Sequence, residues 1–259
     1  MRRIIAAVLV LSALVFASPA SAATTPPPSV RLVSTTIVAG GAAVDFRYTV
    51  NCGVAAGRFS LWEQISQEIG DRRTGAGGNQ LVDCTGRAQD VSLRAWYAFR
   101  YAVVPGPATH QLSAGFMLPA GNREVSLDGA VTLKEGAPRN TISAEGVPML
   151  FFYGESVDPA TDTMTLNAVW RCDSSKATGA GITVAQAVDG LVALGHGGFE
   201  YECTGDWETT RVVFTGAAGA PSLRAGPVSV TSQFSWCGND ESGEFSCTDR
   251  YLSDTVTVA

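Results

Sequence analysis

A segment of about 110 residues occurs twice in this chain, and this internal repeat constrains the fold more than any other feature of the sequence. Residues 36–52 align with residues 156–172 at an offset of 120, with the same apolar phase leading to a cysteine. The alignment then continues: residues 84–86 correspond to 203–205, Gln64 corresponds to Gln186, and residues 106–107 correspond to 226–227. The repeat predicts two tandem domains, at residues 29–134 and 147–259, with a turn-rich linker between them.

The apolar residues inside each copy alternate with polar ones, which is the pattern of half-buried β-strands. In the first copy Val44, Phe46, Tyr48 and Val50 alternate with polar side chains, and the second copy repeats this pattern from Met164 to Trp170. No stretch has the periodicity of a helix. We therefore expect an all-β fold of two tandem immunoglobulin-like β-sandwich domains.

Six cysteines alone allow fifteen pairings, and the repeat reduces them to one. Cys52 and Cys84 occupy the same places in the first copy as Cys172 and Cys203 in the second, and all four lie in the inward phase of predicted strands. Each pair is therefore expected to form a disulfide between two sheets. Cys237 and Cys247 remain, and they would close a polar turn that the first copy lacks.

The first 22 residues have the pattern of a secretory signal peptide: Arg2 and Arg3, an apolar run, and a small-residue cleavage site ending at Ala22. Its removal would change the formal net charge from −6 to −8, because the segment contains two arginines and no acidic residue. We expect a secreted, extracellular protein without membrane insertion. An acidic protein is also poorly suited to bind nucleic acid.

Several short motifs of the second copy resemble those of a secreted, immunoglobulin-like domain of unknown function that is widespread in actinobacteria. The resemblance rests on these segments: the run from Val157 to Trp170-Arg171-Cys172, Thr183 to Gln186, Gly195 to Gly198, Cys203-Thr204-Gly205 and Ala225-Gly226. It covers nearly the whole chain after the signal peptide, as two tandem copies. It implies an exported sandwich without assigned activity and supplies no catalytic residues.

The two histidines do not point to an active site. His110 lies in the inward phase of its predicted strand, which favours a core or rim position. His196 lies in a glycine-rich stretch that we interpret as a hairpin connection, and the chain has no G-x-S-x-G motif to accompany it. We expect no enzyme, no cofactor and no metal site, although an acidic turn with Asp240, Glu241, Glu244 and nearby Asp249 could offer oxygen ligands to calcium.

A candidate binding face remains in the first copy. If Val91, Leu93 and Ala95 face the core, then Arg94, Trp96 and Arg100 form an outward stripe on the same strand. Tryptophan and arginine dominate the energetics of many interfaces. The alternative interpretation is that Trp96 packs under a loop or against the other domain.

These features predict a non-enzymatic binding or structural protein, associated with the cell envelope, whose partner is an unknown protein or glycan. A small-molecule carrier and a protease inhibitor are the alternatives, since both functions occur in disulfide-bonded, secreted β-proteins. A hydrolase is the third class, because an active site can be assembled from residues far apart in the sequence.

Overall fold

The structure is a computed structural model, which describes residues 26–259 except 99, 145, 174, 176 and 240–244. The predicted signal peptide, residues 1–22, and most of the acidic turn lie outside the described residues. Within the described part of the chain, the one helical element is a 3-10 turn at Ala39–Gly41. No described helix is long and apolar enough to cross a membrane.

The first half of the chain forms two sheets that pack face to face. Its described strands are β1 (Ser29–Val38), β2 (Ala43–Asn51), β3 (Arg58–Ile69), β4 (Arg72–Asp83), β5 (Gln89–Ala95), β6 (Tyr97–Ala98), β7 (Gly106–Leu118) and β8 (Gly121–Leu133). One sheet has the order β1-β2-β5 and the other the order β6-β4-β3-β7-β8. The predicted alternation places Phe46 on β2 opposite Phe59 and Phe116 of the other sheet in one apolar core.

The second half forms one continuous sheet. Its described strands are β9 (Met149–Asp158), β10 (Thr163–Arg171), β11 (Gly179–Val188), β12 (Leu191–Glu200), β13 (Glu208–Gly216), β14 (Gly226–Asn239) and β15 (Phe245–Val258). They follow the order β15-β14-β11-β12-β13-β10-β9. The all-β prediction is therefore confirmed, in a sandwich-like arrangement with three disulfides.

The prediction of a hairpin connection at Gly195–Gly198 is wrong, because these residues lie inside β12. This stretch is where β12 pairs with β13 and joins the two parts of the sheet. A Cβ on Gly197 would lie 2.8 Å from the carbonyl oxygen of Val213, and one on Gly198 would lie 2.6 Å from that of Ala180. The glycines therefore allow a close approach between backbones, which is a role distinct from that of a turn.

The strands of the two halves pair in the same order, at the offset found in the sequence. Ile65 faces His110 across β3 and β7, as Val184 faces Val230 across β11 and β14. The register corrects one match: the equivalent of Gln186 is Gln67 and not Gln64. The Gln67 amide exchanges two hydrogen bonds with the backbone of Val104 (2.8 and 3.0 Å), and the Gln186 amide does the same with Arg224 (2.8 and 2.9 Å).

The six cysteines form the three expected pairs, Cys52–Cys84, Cys172–Cys203 and Cys237–Cys247. Cys52 follows β2 and Cys84 follows β4, so this bridge joins the two sheets of the first half. Cys237 and Cys247 are direct partners across β14 and β15, near the end of a long hairpin. Two expectations are wrong for the second pair. β10 and β12 belong to one continuous sheet, so the Cys172–Cys203 bridge does not join two sheets. Cys203 also lies beyond the end of β12 and is exposed instead of facing the core.

The disulfides are expected to differ in their contribution to stability. Replacing Cys52 and Cys84 together by serine should lower the free energy of unfolding by about 1 kcal/mol more than replacing Cys237 and Cys247, from the lengths of the closed loops alone. These loops span separations of 32 and 10 residues. Because Cys52 and Cys84 are buried, the difference in the free energy of unfolding between the two double variants should be larger still. Urea unfolding of both double variants measures it, and the opposite order would contradict the expectation.

Small side chains line the contact between the two halves. Ala39, Ala42 and Ala102 of the first half form a buried cluster with Ala185 and Val192 of the second. Two backbone hydrogen bonds also cross the contact there, from Ala102 to Gly190 (3.1 Å) and from Val192 to Arg100 (3.0 Å). The halves therefore share a packed interface.

Candidate functional site

The candidate stripe of Arg94, Trp96 and Arg100 is not one exposed face, and the main correction concerns Arg94. Arg94 does leave the outer side of β5, as the alternation predicts, but its residue is 6% exposed. Its guanidinium makes a bidentate ion pair with Asp45, with distances of 2.6 and 2.9 Å. The second half covers this side of the sheet, so Arg94 is an interface residue.

The Arg94–Asp45 pair is the centre of a polar network between the halves. Arg94 also donates to the backbone oxygen of Asp254, to Ser229 (3.4 Å) and to Asn140 in the linker (3.3 Å). The Asp254 carboxylate accepts hydrogen bonds from Asn140 (2.7 Å) and from the backbone N–H of Phe152 (2.9 Å). Arg94 and Asp45 are thus paired and the Asp254 carboxylate is hydrogen-bonded, as stable burial of charged groups requires.

Trp96 and Arg100 diverge from Arg94 because the chain changes sheets at this point. β5 ends at Ala95, and the N–H of Trp96 donates to Gly77 on the other sheet (2.9 Å). Trp96 is half-buried and Arg100 is exposed. Phe99 lies outside the described residues. The three residues of the stripe therefore do not share one strand, and each has a different environment.

Three aromatic residues that the sequence did not point to lie in the second half, two on the outer side of β9 and one directly before β13. We call Phe151, Tyr153 and Trp207 the aromatic strip. The Phe151 ring lies 5.7 Å from that of Tyr153 and 5.6 Å from that of Trp207, between ring centroids. Tyr153 is 59% exposed and Trp207 is 50% exposed. Met149 on β9 and Val213 on β13 are also exposed apolar residues of this half.

Polar side chains border the aromatic strip. Arg211 on β13 pairs with Glu155 on β9, with 3.2 Å between Nη2 and Oε1. Asn167 lies on β10, between these two strands, and is directly opposite Arg211 on one side and Tyr153 on the other. The face therefore combines aromatic rings with amide, guanidinium and carboxylate groups.

The matching face of the first half is the one that the second half covers. Asp45 pairs with Arg94 on that face, and Thr165 pairs with Val213 at the same place in the second half. Arg94 is buried there, whereas Val213 is exposed. The sequence signal for the strip was the run from Met149 to Tyr153, which is apolar on both faces of a strand.

A second unusual feature is a polar cluster inside the first sandwich, formed by Tyr48, Glu63 and His110. Glu63 lies in the inward phase of β3 and is fully buried. The Tyr48 hydroxyl of the opposite sheet donates to its Oε2. Its Oε1 lies 3.4 Å from Nδ1 of His110 on β7. His110 is 6% exposed, which confirms that it lies in the core.

Burial governs the protonation of this cluster. It raises the pKa of Glu63 to about 8, and the charge of Asp128 on β8 adds to the rise, while the hydrogen bond from Tyr48 opposes it. Burial lowers the pKa of His110, against the opposing effect of Asp128. Burial raises the pKa of Tyr48, and Glu63 reinforces this rise. At neutral pH the cluster is therefore uncharged, with Glu63 carrying a proton.

The fold itself does not require a polar cluster here. The equivalent positions of the second half are held by Ala168, Ile182 and Val230, which are all buried in an apolar core. The alternation of residues places His110 correctly in the core, but Glu63 was not recognised as a buried residue. The available signal was a glutamate in the same phase as Phe59, Leu61 and Ile65.

A cleft of about 480 Å³ opens beside His110 on the first half. Its lining includes Gln64, Ser66, Arg73, Thr109, Asp128 and Gly129. A Cβ on Gly129 would lie 3.9 Å from Nε2 of His110, so this ring nitrogen lies beneath a residue that has no side chain. The side chains of Gln64, Ser66 and Thr109 line this cleft from the outer face of the sheet, whereas Glu63 and His110 point into the core from its inner face.

The other candidates have simpler surroundings. His196 is exposed, with its Nδ1 3.2 Å from the Thr183 hydroxyl. Asp249 accepts a hydrogen bond from Ser235, whereas Asp240, Glu241 and Glu244 lie outside the described residues. Within the described ranges, no three His, Cys, Asp or Glu side chains converge to hold a metal ion.

Comparisons with known proteins add little. No family model matches the sequence, and no curated protein matches it. One solved structure that is similar to this chain is a protein of unknown function from Porphyromonas gingivalis W83, with a TM-score of 0.24 and 14% identity. The match covers 90% of this chain and all of the other. A TM-score this low supports no inference about fold or function.

Proposed function

We propose that this is a secreted, non-enzymatic binding protein of two tandem immunoglobulin-like domains, and that its aromatic strip binds a polysaccharide of the cell envelope. The domain proposal is supported by the equal strand order of the halves and by a disulfide at the same place in each. The signal-peptide pattern and the disulfides are typical of proteins that fold in an oxidising compartment.

The single observation that carries the binding proposal is the exposure of Tyr153 and Trp207 around Phe151 on an open sheet face. Rings in such a position offer a negative π face to the C–H groups of a pyranose ring. The bordering Asn167, Arg211 and Glu155 can exchange hydrogen bonds with sugar hydroxyls. An apolar patch with this polar border is typical of a recognition surface.

A polysaccharide fits this face better than a second copy of the chain. Within the chain, the second half covers the first with the face that carries Ala185, Val192 and Ser229. A second copy that docked on the aromatic strip in the same way would have to use the equivalent face of its own first half. That face carries Ser66, Arg73 and Thr109 where the second half has Ala185, Val192 and Ser229. Ser66 and Arg73 therefore replace the small apolar contacts that Ala185 and Val192 provide between the two halves.

Replacing Trp207 by alanine should reduce binding to the target polysaccharide at least roughly tenfold, because a half-exposed tryptophan is the largest contact of the strip. The measurement is the fraction of protein bound to insoluble peptidoglycan, chitin and cellulose. Tyr153→Ala should reduce it as well. Trp62→Ala is the matched control, since Trp62 is 44% exposed on β3 of the first half.

Two outcomes would contradict the proposal. The wild-type protein could bind none of the three polysaccharides, which would leave a protein partner as the better explanation of the strip. Alternatively, Trp62→Ala could lose as much binding as Trp207→Ala, which would place the contact elsewhere. Circular dichroism of each variant verifies that the fold is intact.

A further inference from the structure

We propose that the aromatic strip selects single, non-crystalline glycan chains over the flat surface of a crystalline polysaccharide. This inference rests on the proposed binding of a polysaccharide and names the physical form of the polymer that the site accepts. It follows from the angles between the rings, from the strands that carry them and from the polar groups beside Tyr153.

The rings of the strip do not lie in one plane. The plane of the Phe151 ring makes an angle of 86° with that of Tyr153 and of 60° with that of Trp207. The planes of Tyr153 and Trp207 therefore differ from each other by at least the difference between these angles, 26°. Phe151 is half-buried and contacts both exposed rings, so Tyr153 and Trp207 are the rings most accessible to a ligand.

The twist of the sheet gives a physical reason for this tilt. Phe151 and Tyr153 lie on β9, and Trp207 lies directly before β13, with β10 between these two strands. Neighbouring strands are rotated by about 20–25° relative to each other, so two strands that flank a third are rotated by roughly 40–50°. Because side chains stand roughly perpendicular to the sheet, rings carried by β9 and β13 diverge with the backbone.

The tilt restricts the ligands that can contact both exposed rings. A crystalline polysaccharide presents a flat face of pyranose rings, and this face can stack on two aromatic rings at once only if the two are coplanar. A single chain can rotate about its glycosidic bonds, so successive sugars can turn toward rings at different angles. The Tyr153 and Trp207 centroids are no more than about 11 Å apart, since they lie 5.7 and 5.6 Å from Phe151. A short oligosaccharide can therefore reach both.

The polar groups beside Tyr153 favour the same form of ligand. Asn167 is directly opposite Tyr153 on one side and Arg211 on the other, and Arg211 pairs with Glu155 at 3.2 Å. Amide, guanidinium and carboxylate groups exchange hydrogen bonds with hydroxyl groups. In a crystalline polysaccharide the hydroxyl groups are bonded to neighbouring chains, whereas a single chain can offer them to the protein.

A variant of Asn167 tests the contribution of these polar groups. Asn167→Ala should weaken the binding of a soluble oligosaccharide about fivefold, because it removes a hydrogen-bonding amide next to Tyr153. Asn122→Ala is the matched control, since Asn122 is an exposed asparagine on β8 of the first half. Titration calorimetry measures both affinities. Equal affinities of the wild type and a folded Asn167→Ala variant would overturn this part of the inference.

Offering one polymer to the mature chain in two physical forms tests the inference as a whole. Acid-swollen cellulose and colloidal chitin should bind at least roughly tenfold more tightly than their crystalline forms, per unit of accessible surface, because only one of the two exposed rings can stack on a flat face. Soluble cello- or chito-oligosaccharides should compete, and the trisaccharide should compete better than the monosaccharide. If peptidoglycan alone is bound, competition by its soluble glycan fragments decides.

The possible results separate this inference from the proposed function. Equal or tighter binding to the crystalline form, or a lack of competition by the soluble fragments, would overturn the inference and leave polysaccharide binding in place. A lack of binding to cellulose, chitin and peptidoglycan in every form would contradict the proposed function, and the inference would fail with it.

Discussion

Replacing Glu63 by glutamine is expected to raise the free energy of unfolding at pH 9 by roughly 2–4 kcal/mol and to leave it nearly unchanged at pH 5. Burial raises the pKa of this carboxyl group from 4.5 to about 8. Each pKa unit corresponds to about 1.4 kcal/mol. Glutamine keeps the shape and the hydrogen bond from Tyr48 but cannot ionise.

The sign follows from proton binding. Between pH 4.5 and 8 the folded protein holds a proton on Glu63 that the unfolded chain releases, so this group makes the folded state less stable as the pH rises. The stabilisation that it gives is complete below pH 4.5 and is lost as the pH passes 8. His110 has the opposite effect: its lowered pKa costs stability when the pH falls below its ordinary value of 6.5.

Urea unfolding of the wild type and of Glu63→Gln from pH 5 to pH 9 measures this dependence. Glu68→Gln is the matched control, because Glu68 is an exposed carboxyl group on the same strand. The wild type and Glu68→Gln should lose stability together across this range, and Glu63→Gln should lose much less. Parallel curves for all three proteins would contradict a protonated Glu63 in the core.

Replacing Arg94 by alanine is expected to cost about 3–5 kcal/mol, the loss that is typical when one partner of a buried ion pair is removed. The substitution would leave the Asp45 carboxylate buried without its bidentate partner. It would also remove the donor to the backbone oxygen of Asp254 in the second half. Both the first half and the interface should therefore lose stability.

Two further variants make the Arg94 result specific. Arg58→Ala breaks the exposed pair with Asp83, which is worth less than about 1 kcal/mol. The double variant Asp45→Thr with Arg94→Val copies Thr165 and Val213 of the second half and removes both charges of the ion pair together. It should recover most of the stability that Arg94→Ala loses. A loss below 1 kcal/mol for Arg94→Ala in thermal or urea unfolding would contradict the buried network.

The same network shows how far the alternation of residues can predict a site. The period of two assigned Arg94 correctly to the outer side of β5 and His110 correctly to the core. It could not indicate what lies over an outer side, because that depends on the docking of a segment more than a hundred residues away. The prediction of an exposed Arg94 was wrong for this reason, since Ser229 and Asp254 reach it from the second half.

The polar cluster around Glu63 and the aromatic strip differ in how far the sequence could predict them. Glu63 stood in an apolar phase and could have been recognised as a buried carboxyl group, but its partners Tyr48 and His110 come from other strands. The aromatic strip required Trp207, which precedes β13, to meet Phe151 of β9. Such pairs arise from strand order and sheet curvature, and a local pattern contains neither.

The sequence by itself determined the all-β class, the faces of most strands and the pairing of all six cysteines, because local alternation and the internal repeat are both properties of the chain. Only the tertiary structure decided which outer faces are covered. The second half covers the β2–β5 face of the first half, whereas the matching face of the second half is exposed to solvent with Tyr153 and Trp207. Burial of a surface is a property of how domains pack, and the environment of a carboxyl group or a tryptophan follows from it.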